Sequence, residues 1–199
     1  MAGGSGRRMG SGEKPIVRIN GKPMVDYVVE ALCESTRIDR IHIVVSPKVP
    51  ATEAYLREKY ADDYRISIIV TPGTGYIVDT VYAVNAIALH EPFLILGADL
   101  PLISARLIDF IIDTYAHCGR EALTVRVPSS IATKANLTYR DNGRDTVPAG
   151  INVLNGAAMD REQDEYVLVI DDAALAMNVN YAADLETCKL LISKKDGKI

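Results

Sequence analysis

The sequence predicts an α/β fold in which helices cover both faces of a mixed, mainly parallel sheet. In the first half of the chain, short apolar runs rich in β-branched residues alternate with segments of helical composition. In the second half, several strand candidates follow one another without that alternation. Alternating strands and helices form parallel sheets that are buried on both faces, whereas the later strands break the pattern. We therefore expect a three-layer αβα architecture.

The first half contains three strand and helix pairs. Strands are expected at 41–45, 66–70 and 93–96, and the helices that follow them at 51–60, 79–89 and 104–115. A short extended segment at 16–19 and the turn Asn20-Gly21 precede an earlier amphipathic helix at 25–33. These elements supply the parallel part of the sheet.

The second half is expected to complete the same domain. Strand candidates lie at 123–127, 147–154 and 166–170, and a last helix lies at 183–192. The polar segment 129–144 contains Asn142-Gly143 and is interpreted as a loop or hairpin. With 199 residues and no internal repeat, residues 1–199 are expected to form a single domain.

Composition excludes several classes of function. The net charge of -4 argues against a general nucleic-acid-binding protein, because no overall basic field attracts a phosphate backbone. The three cysteines are scattered without a CxxC pair, so neither a disulfide framework nor a zinc site is indicated. No signal peptide and no apolar run long enough to span a bilayer is visible, and a cytoplasmic protein is expected.

Four unusual segments follow predicted strands or open the chain. They are the glycine-rich residues 1–9, and the segments 71–76, 97–101 and 147–152. Ligands of open parallel sheets bind beyond the carboxyl ends of the strands. We therefore expect these four segments to surround one binding site for a small molecule.

The opening loop is suited to phosphate. Gly3, Gly4 and Gly6 allow backbone N–H groups to approach phosphate oxygens, while Arg8 and Lys14 supply positive charge. The loop matches neither the Walker A pattern nor the GxGxxG fingerprint. From composition alone, a flexible leader remains an equal alternative.

The run Ala2-Gly3-Gly4-Ser5-Gly6-Arg7-Arg8-Met9, followed by Lys14-Pro15, resembles the signature of the NTP-transferase family. This family has a Rossmann-like fold of the nucleotide-diphospho-sugar-transferase type and includes sugar-nucleotide pyrophosphorylases and molybdenum-cofactor guanylyltransferases. Segments 13–15, 25–29, 75–79 and 147–153 further resemble the archaeal GTP:adenosylcobinamide-phosphate guanylyltransferases of cobalamin biosynthesis. The resemblance covers most of the chain.

The resemblance implies transfer of GMP from GTP to adenosylcobinamide phosphate, which gives adenosylcobinamide-GDP and pyrophosphate. It also implies Mg²⁺ as cofactor and a possible homodimer. Two other functions remain open: another nucleotidyltransferase, such as a molybdenum-cofactor guanylyltransferase or a cytidylyltransferase, and a non-catalytic GTP-binding module on the same fold. Guanine preference rests on the resemblance alone.

The expected site residues fall into four groups. The catalytic residues are Arg8 and Lys14. The nucleotide-binding residues are Ala2, Gly3, Gly4, Ser5, Gly6, Arg8, Lys14, Thr71, Gly73, Gly75, Asp79 and Asp99. The acceptor or ribose side is expected at Gly150 and Asn152, and the metal ligands are Asp99 and Asn180.

Four of these residues have a structural alternative to a role in the site. Asp99 could cap the next helix, although Ser104 is better placed for that role, and Asn180 could cap the last helix. Asp79 could likewise cap the helix that begins near it. Gly150 interrupts a strand and could mark a bulge.

In this family the glycine loop follows a central apolar strand, and Met1 stands where that strand would end. We therefore expect the first strand to be absent before Met1. Without it, the neighbouring strand edges would expose unpaired backbone groups. A chain extended before Met1 by such a strand is expected to be more stable and to bind GTP more tightly.

Overall fold

The computed structural model describes residues 1–4, 6, 12–134 and 145–195. Strands in chain order are β1 Arg18–Ile19, β2 Lys22–Pro23, β3 Ile41–Val45, β4 Ile66–Val70, β5 Pro92–Leu96, β6 Ala122–Pro128, β7 Thr146–Asn155 and β8 Glu165–Val169. Helices are α1 Met24–Glu34, α2 Pro50–Lys59, α3 Tyr76–Ala86, α4 Ala105–Cys118, α5 Ser129–Lys134, α6 Ala173–Ala176 and α7 Ala182–Lys195. Short 3₁₀ turns occur at Lys14–Ile16 and Gly156–Ala158.

The strands form two larger sheets and a small hairpin. Strands β3 and β4 pair in parallel, and β1 pairs antiparallel with β2. The four-stranded sheet has the order β5-β7-β6-β8, in which β7 is antiparallel to β5 and β6, and β8 is parallel to β6. The expected mixed α/β architecture is confirmed.

The first two residues lie between the two larger sheets. The Met1 nitrogen donates to the Leu96 carbonyl at 2.8 Å, and the Ala98 nitrogen donates to the Met1 carbonyl at 2.9 Å. The Ala2 nitrogen donates to the Val44 carbonyl at 2.7 Å. The sequence analysis expects a family strand that ends at Met1. Met1 and Ala2 lie where the C-terminal end of that strand would be, bonded to β3 and β5. An apolar cavity of about 550 Å³ lies beside them, between β3 and β5.

Helix α1 packs against both sheets because apolar residues occur on more than one of its sides. Val28 belongs to a core that includes β6, β7 and α4. Val25 and Val29 belong to a second core with β3 and Leu56 of α2. A third cluster joins β1 to α7 through Ile19, Met177, Val179 and Cys188. Burial of these side chains supplies the main driving force for folding.

Asp26, near the start of α1, connects this helix to α2. It is fully buried and accepts hydrogen bonds from the Tyr55 hydroxyl at 2.6 Å and the Lys59 ammonium at 2.5 Å. The Tyr60 hydroxyl donates to its other oxygen at 3.0 Å. Burial and the carboxylate raise the pKa of Tyr60, so this hydroxyl remains a donor. A buried carboxylate is stable here because both of its oxygens are bonded.

Two sequence expectations are wrong in part. Helix α3 begins at Tyr76 rather than near Asp79, because the Asp79 carboxylate accepts hydrogen bonds from the backbone that precedes the helix. The segment 129–144 is not all loop, since α5 occupies its first residues; a polar composition also suits a short surface helix. Asn142 and Gly143 lie outside the described residues.

A third expectation, the extended segment 16–19, is also wrong in part. Only its end is extended, because Pro15 favours the helical φ of the 3₁₀ turn before β1.

Among the described residues, no helix combines the length and the hydropathy needed to cross a membrane.

Replacement of Asp26 by alanine should destabilise the protein by about 2 kcal/mol, because two tyrosine hydroxyls and one ammonium lose their shared acceptor. The free energy of unfolding, measured by denaturant titration, tests this. Asp113→Ala is the matched control: Asp113 pairs with Arg37 at 2.8 Å, and both side chains are about half exposed. Its effect should be much smaller. Equal losses in the two variants would contradict a special role for Asp26.

Candidate active site

The predicted segments surround one cleft of about 530 Å³. The cleft lies at the carboxyl ends of β3, β4 and β5, where ligands of parallel sheets bind. The residues expected from the sequence that line it are Gly3, Gly4, Thr71, Gly73, Gly75, Asp79, Asp99, Gly150 and Asn152. Ala2 is buried in the adjoining strand position, and Ser5 and Arg8 lie outside the described residues.

The described part of the opening loop is bonded to the start of the first 3₁₀ turn, Lys14–Ile16. The Lys14 nitrogen donates to the Gly4 carbonyl at 3.2 Å. Gly6 has a φ of 61°, and a Cβ placed on it would lie 2.3 Å from the Gly12 carbonyl oxygen. A side chain at this position would therefore collide with backbone, so the turn requires glycine.

The Lys14 ammonium binds side chains from two segments that are distant from it in sequence. Its Nζ donates to Asp99 Oδ2 at 2.5 Å and to Asn180 Oδ1 at 2.8 Å. The Lys14 side chain is 13% exposed and that of Asp99 is 23% exposed, so the ion pair is largely withdrawn from water. A second amide, that of Asn178, accepts from Asn180 Nδ2 at 3.0 Å. Lys14 and Asn180 do not line the cleft themselves, but their partners Asp99 and Asn178 do. A fixed positive charge thus lies next to the cleft, between carboxylate and amide oxygens.

Asp99 does not cap α4, so that structural alternative is wrong, and a site role for Asp99 remains a prediction. Helix α4 is capped by Ser104, whose Oγ accepts from the Leu107 nitrogen at 3.4 Å. A Cβ on Gly97 would lie 2.2 Å from Asp99 Oδ1. Gly97 therefore provides the space into which the carboxylate turns.

Asn180 does not cap the last helix with its side chain. Asp184, which is buried, accepts from the backbone nitrogens of Asn180 and Tyr181, both at 2.9 Å. This arrangement bonds the two backbone N–H groups that precede α7, and the Asn180 side-chain oxygen accepts from Lys14 instead of capping the helix.

The loop between β4 and α3 is held from two sides. Asp79 accepts from the backbone nitrogens of Gly73, Thr74 and Gly75 at 2.9 to 3.4 Å. The Thr71 hydroxyl donates to the Val45 carbonyl at 3.1 Å. Asp79 therefore has the structural role that the sequence analysis left open, and a direct contact with a nucleotide remains a prediction.

Gly150 and Asn152 lie on β7, across from that loop. The ladder of β6 and β7 shifts between Thr124 and Arg126, so Gly150, with a φ of 75°, sits in a bulge. The Asn152 side chain is hydrogen bonded to the Tyr76 hydroxyl. Burial of this hydroxyl raises the pKa of Tyr76, and the bond to Asn152 opposes part of that shift. At this bulge β7 leaves its regular pairing with β6, and Gly150 and Asn152 line the cleft.

Sequence reasoning missed three residues that line the cleft: Ser46, Lys48 and Asn178. The Lys48 ammonium donates to the Gly73 carbonyl. The edge argument used for β4 and β5 also applies to β3, whose end leads directly to Ser46 and Lys48. Asn178 lies in a stretch in which alternate residues are buried, so it shares a face with Asn180.

Asp99 and Asn180 form a donor set that suits Mg²⁺. Within the described ranges, no group of three or more His, Cys, Asp or Glu side chains could hold a metal ion. Mg²⁺ prefers oxygen ligands and commonly binds through one or two protein groups together with substrate phosphates and water. One carboxylate and one amide oxygen fit an ion that arrives with a triphosphate.

Comparison with known proteins gives a consistent result. Residues 1–150 match the family described as MobA-like NTP transferase domain. The chain is 37% identical over 203 residues to the adenosylcobinamide-phosphate guanylyltransferase of Methanocaldococcus jannaschii, which covers 99% of this chain and 97% of that protein. It is 31% identical over 160 residues to a probable molybdenum cofactor guanylyltransferase of Thermococcus gammatolerans, with 79% and 76% coverage.

A solved structure supports the fold. The 4-diphosphocytidyl-2C-methyl-D-erythritol synthase of Anaerococcus prevotii superposes with a TM-score of 0.70 at 17% identity and covers 96% of this chain and 93% of that chain. At that identity the likeness shows the fold alone. The match of residues 1–150, three quarters of the chain, shows that the chain belongs to the MobA-like NTP transferase family.

Proposed function

We propose that the protein is a guanylyltransferase that transfers GMP from GTP to adenosylcobinamide phosphate. The observation that carries this proposal is the relative of that activity, which is 37% identical and matches along 99% of the chain. An oxygen of the acceptor phosphate attacks the α-phosphorus of GTP, and the bond between the α-phosphorus and the bridging oxygen breaks. The products are adenosylcobinamide-GDP and pyrophosphate.

The cleft supplies what this reaction needs. The acceptor phosphate brings its own nucleophilic oxygen, so the protein needs no serine, cysteine or histidine nucleophile. Catalysis then depends on orientation and on offsetting the negative charge that gathers on the leaving pyrophosphate. Lys14 lies at the end of the glycine loop, and its ammonium is bonded to Asp99, which lines the cleft. Arg8 is proposed to assist it.

Asp99 and Asn180 are the residues that would hold Mg²⁺, through one carboxylate and one amide oxygen. Bound there, the ion would neutralise phosphate charge in the transition state. In the structure, the Lys14 ammonium donates to both of these oxygens. A bound triphosphate would offer its oxygens to the Lys14 ammonium as alternative partners, and the Asp99 carboxylate would then be available to hold the ion.

The proposal is tested by pyrophosphate release with each of the four NTPs, with and without adenosylcobinamide phosphate. Release that needs both GTP and this acceptor is expected. Release with a molybdenum-cofactor acceptor in its place would identify the alternative transferase. Binding of GTP without release for any acceptor would indicate a non-catalytic module.

Lys14→Ala should lower the turnover number by about 100-fold or more, because the ammonium no longer stabilises charge on the leaving group. Circular dichroism should show an unchanged fold. The matched control is Lys22→Ala, since Lys22 pairs with Glu30 away from the cleft. Near-normal guanylyl transfer by the Lys14 variant would remove this residue from the mechanism.

Asp99→Asn should raise the Mg²⁺ concentration that gives half-maximal activity, because an amide is a weaker ligand than a carboxylate. Activity at saturating Mg²⁺ should recover in part. Titration of activity with Mg²⁺ measures both effects, and Asp113→Asn, at a surface ion pair, is the control. An unchanged Mg²⁺ requirement in the Asp99 variant would contradict its assignment as a ligand.

A further inference from the structure

Helix α3 exposes apolar residues in its first two turns. Asp79, Thr80, Ala83 and Val84 are buried. Four other residues form what we call the outer α3 face, with exposed fractions of 49% for Tyr76, 74% for Ile77, 55% for Val78 and 47% for Tyr82. Asp79 is the sole charged residue from Tyr76 to Tyr82, and it is turned inward.

Such a surface is unusual for a helix of a water-soluble domain, whose outer side normally carries charged residues. Helix α2 shows the normal pattern, with Arg57, Glu58 and Lys59 exposed. Val78 and Tyr82 are neighbours on the helix surface because they are four residues apart, and Tyr76 and Ile77 extend the exposed apolar surface around the first turn of α3. An exposed apolar patch commonly marks a binding surface.

The patch begins at the mouth of the cleft. Tyr76 lines the cleft and its hydroxyl bonds Asn152, which the sequence analysis assigns to the acceptor or ribose side. Ile77 and Val78 continue from it along the first turn of α3 and do not line the cleft. Asp99, the partner of Lys14, lines the same cleft, and the triphosphate is expected beside it. The apolar patch thus adjoins the cleft at Tyr76.

We propose that the outer α3 face binds the corrin ring of the acceptor, an inference that rests on the proposed function. A corrinoid phosphate joins a reactive phosphate to a large macrocycle whose faces carry methyl groups. A cleft of about 530 Å³ has no room for a nucleoside triphosphate and this macrocycle together. The ring must therefore lie outside the mouth while its phosphate reaches in, and the outer α3 face is an apolar surface at that place.

The double variant Ile77→Ser/Val78→Ser tests this placement. Each aliphatic side chain that is covered by the ring contributes about ten-fold in affinity. The KM for adenosylcobinamide phosphate should therefore rise at least about ten-fold, while the dissociation constant for GTP, measured by calorimetry, stays unchanged. Phe110→Ser is the matched control, because Phe110 is 50% exposed on α4 and lies outside the cleft lining. It should change neither value.

Three outcomes would overturn the inference. They are an unchanged KM for the acceptor, an equal loss of GTP affinity, and a change of mass in sedimentation that assigns the patch to contact between two copies of the chain. Titration of adenosylcobinamide phosphate, followed by corrin absorbance, separates this inference from the proposed function. A wild-type protein that binds the corrinoid but transfers no GMP would contradict the function and leave the patch testable. Absence of corrinoid binding would contradict both.

Discussion

The contact on which the site depends is the Lys14 ammonium between Asp99 and Asn180. These partners are 85 and 166 positions away in sequence, so one side chain joins the glycine loop, the end of β5 and the segment before α7. A lysine that is only 13% exposed needs acceptors to offset its lost hydration. The same acceptors place its charge at the loop that is suited to phosphate. The arrangement of the site therefore depends on one interaction that joins three segments of the chain.

Other polar groups leave this contact undisturbed. Ser104 caps α4, Asp184 accepts from the two backbone N–H groups that precede α7, and Asp79 bonds the loop before α3. Because these residues meet the needs of the backbone, the side-chain oxygens of Asp99 and Asn180 are available to Lys14. In the proposed binding mode, the outer α3 face adds to the cleft an apolar surface that suits a macrocycle.

Much of the fold follows from the sequence, since strands 41–45 and 66–70 have the predicted bounds and the order of elements is as expected. Hydrophobic periodicity and turn residues predict local structure, but they do not reveal hydrogen bonds between residues that are distant in sequence. The start of α3 and the role of Asp184 were therefore not predictable, whereas capping by Asp79 was one of two alternatives that the sequence left open. The convergence of four segments followed from the edge rule for parallel sheets. Lys48 follows β3, to which that rule also applies, whereas Asn178 follows α6 and no strand, so the rule could not find it.

The fate of labelled phosphorus tests the account most directly. GTP labelled with ³²P at the α or at the γ position would be incubated with the protein, Mg²⁺ and adenosylcobinamide phosphate, and the corrinoid would be separated from small phosphates. The account predicts that α-label enters the corrinoid and that γ-label appears in pyrophosphate. A γ-labelled corrinoid, or α-label that stays in GTP or free GMP, would contradict guanylyl transfer at this site.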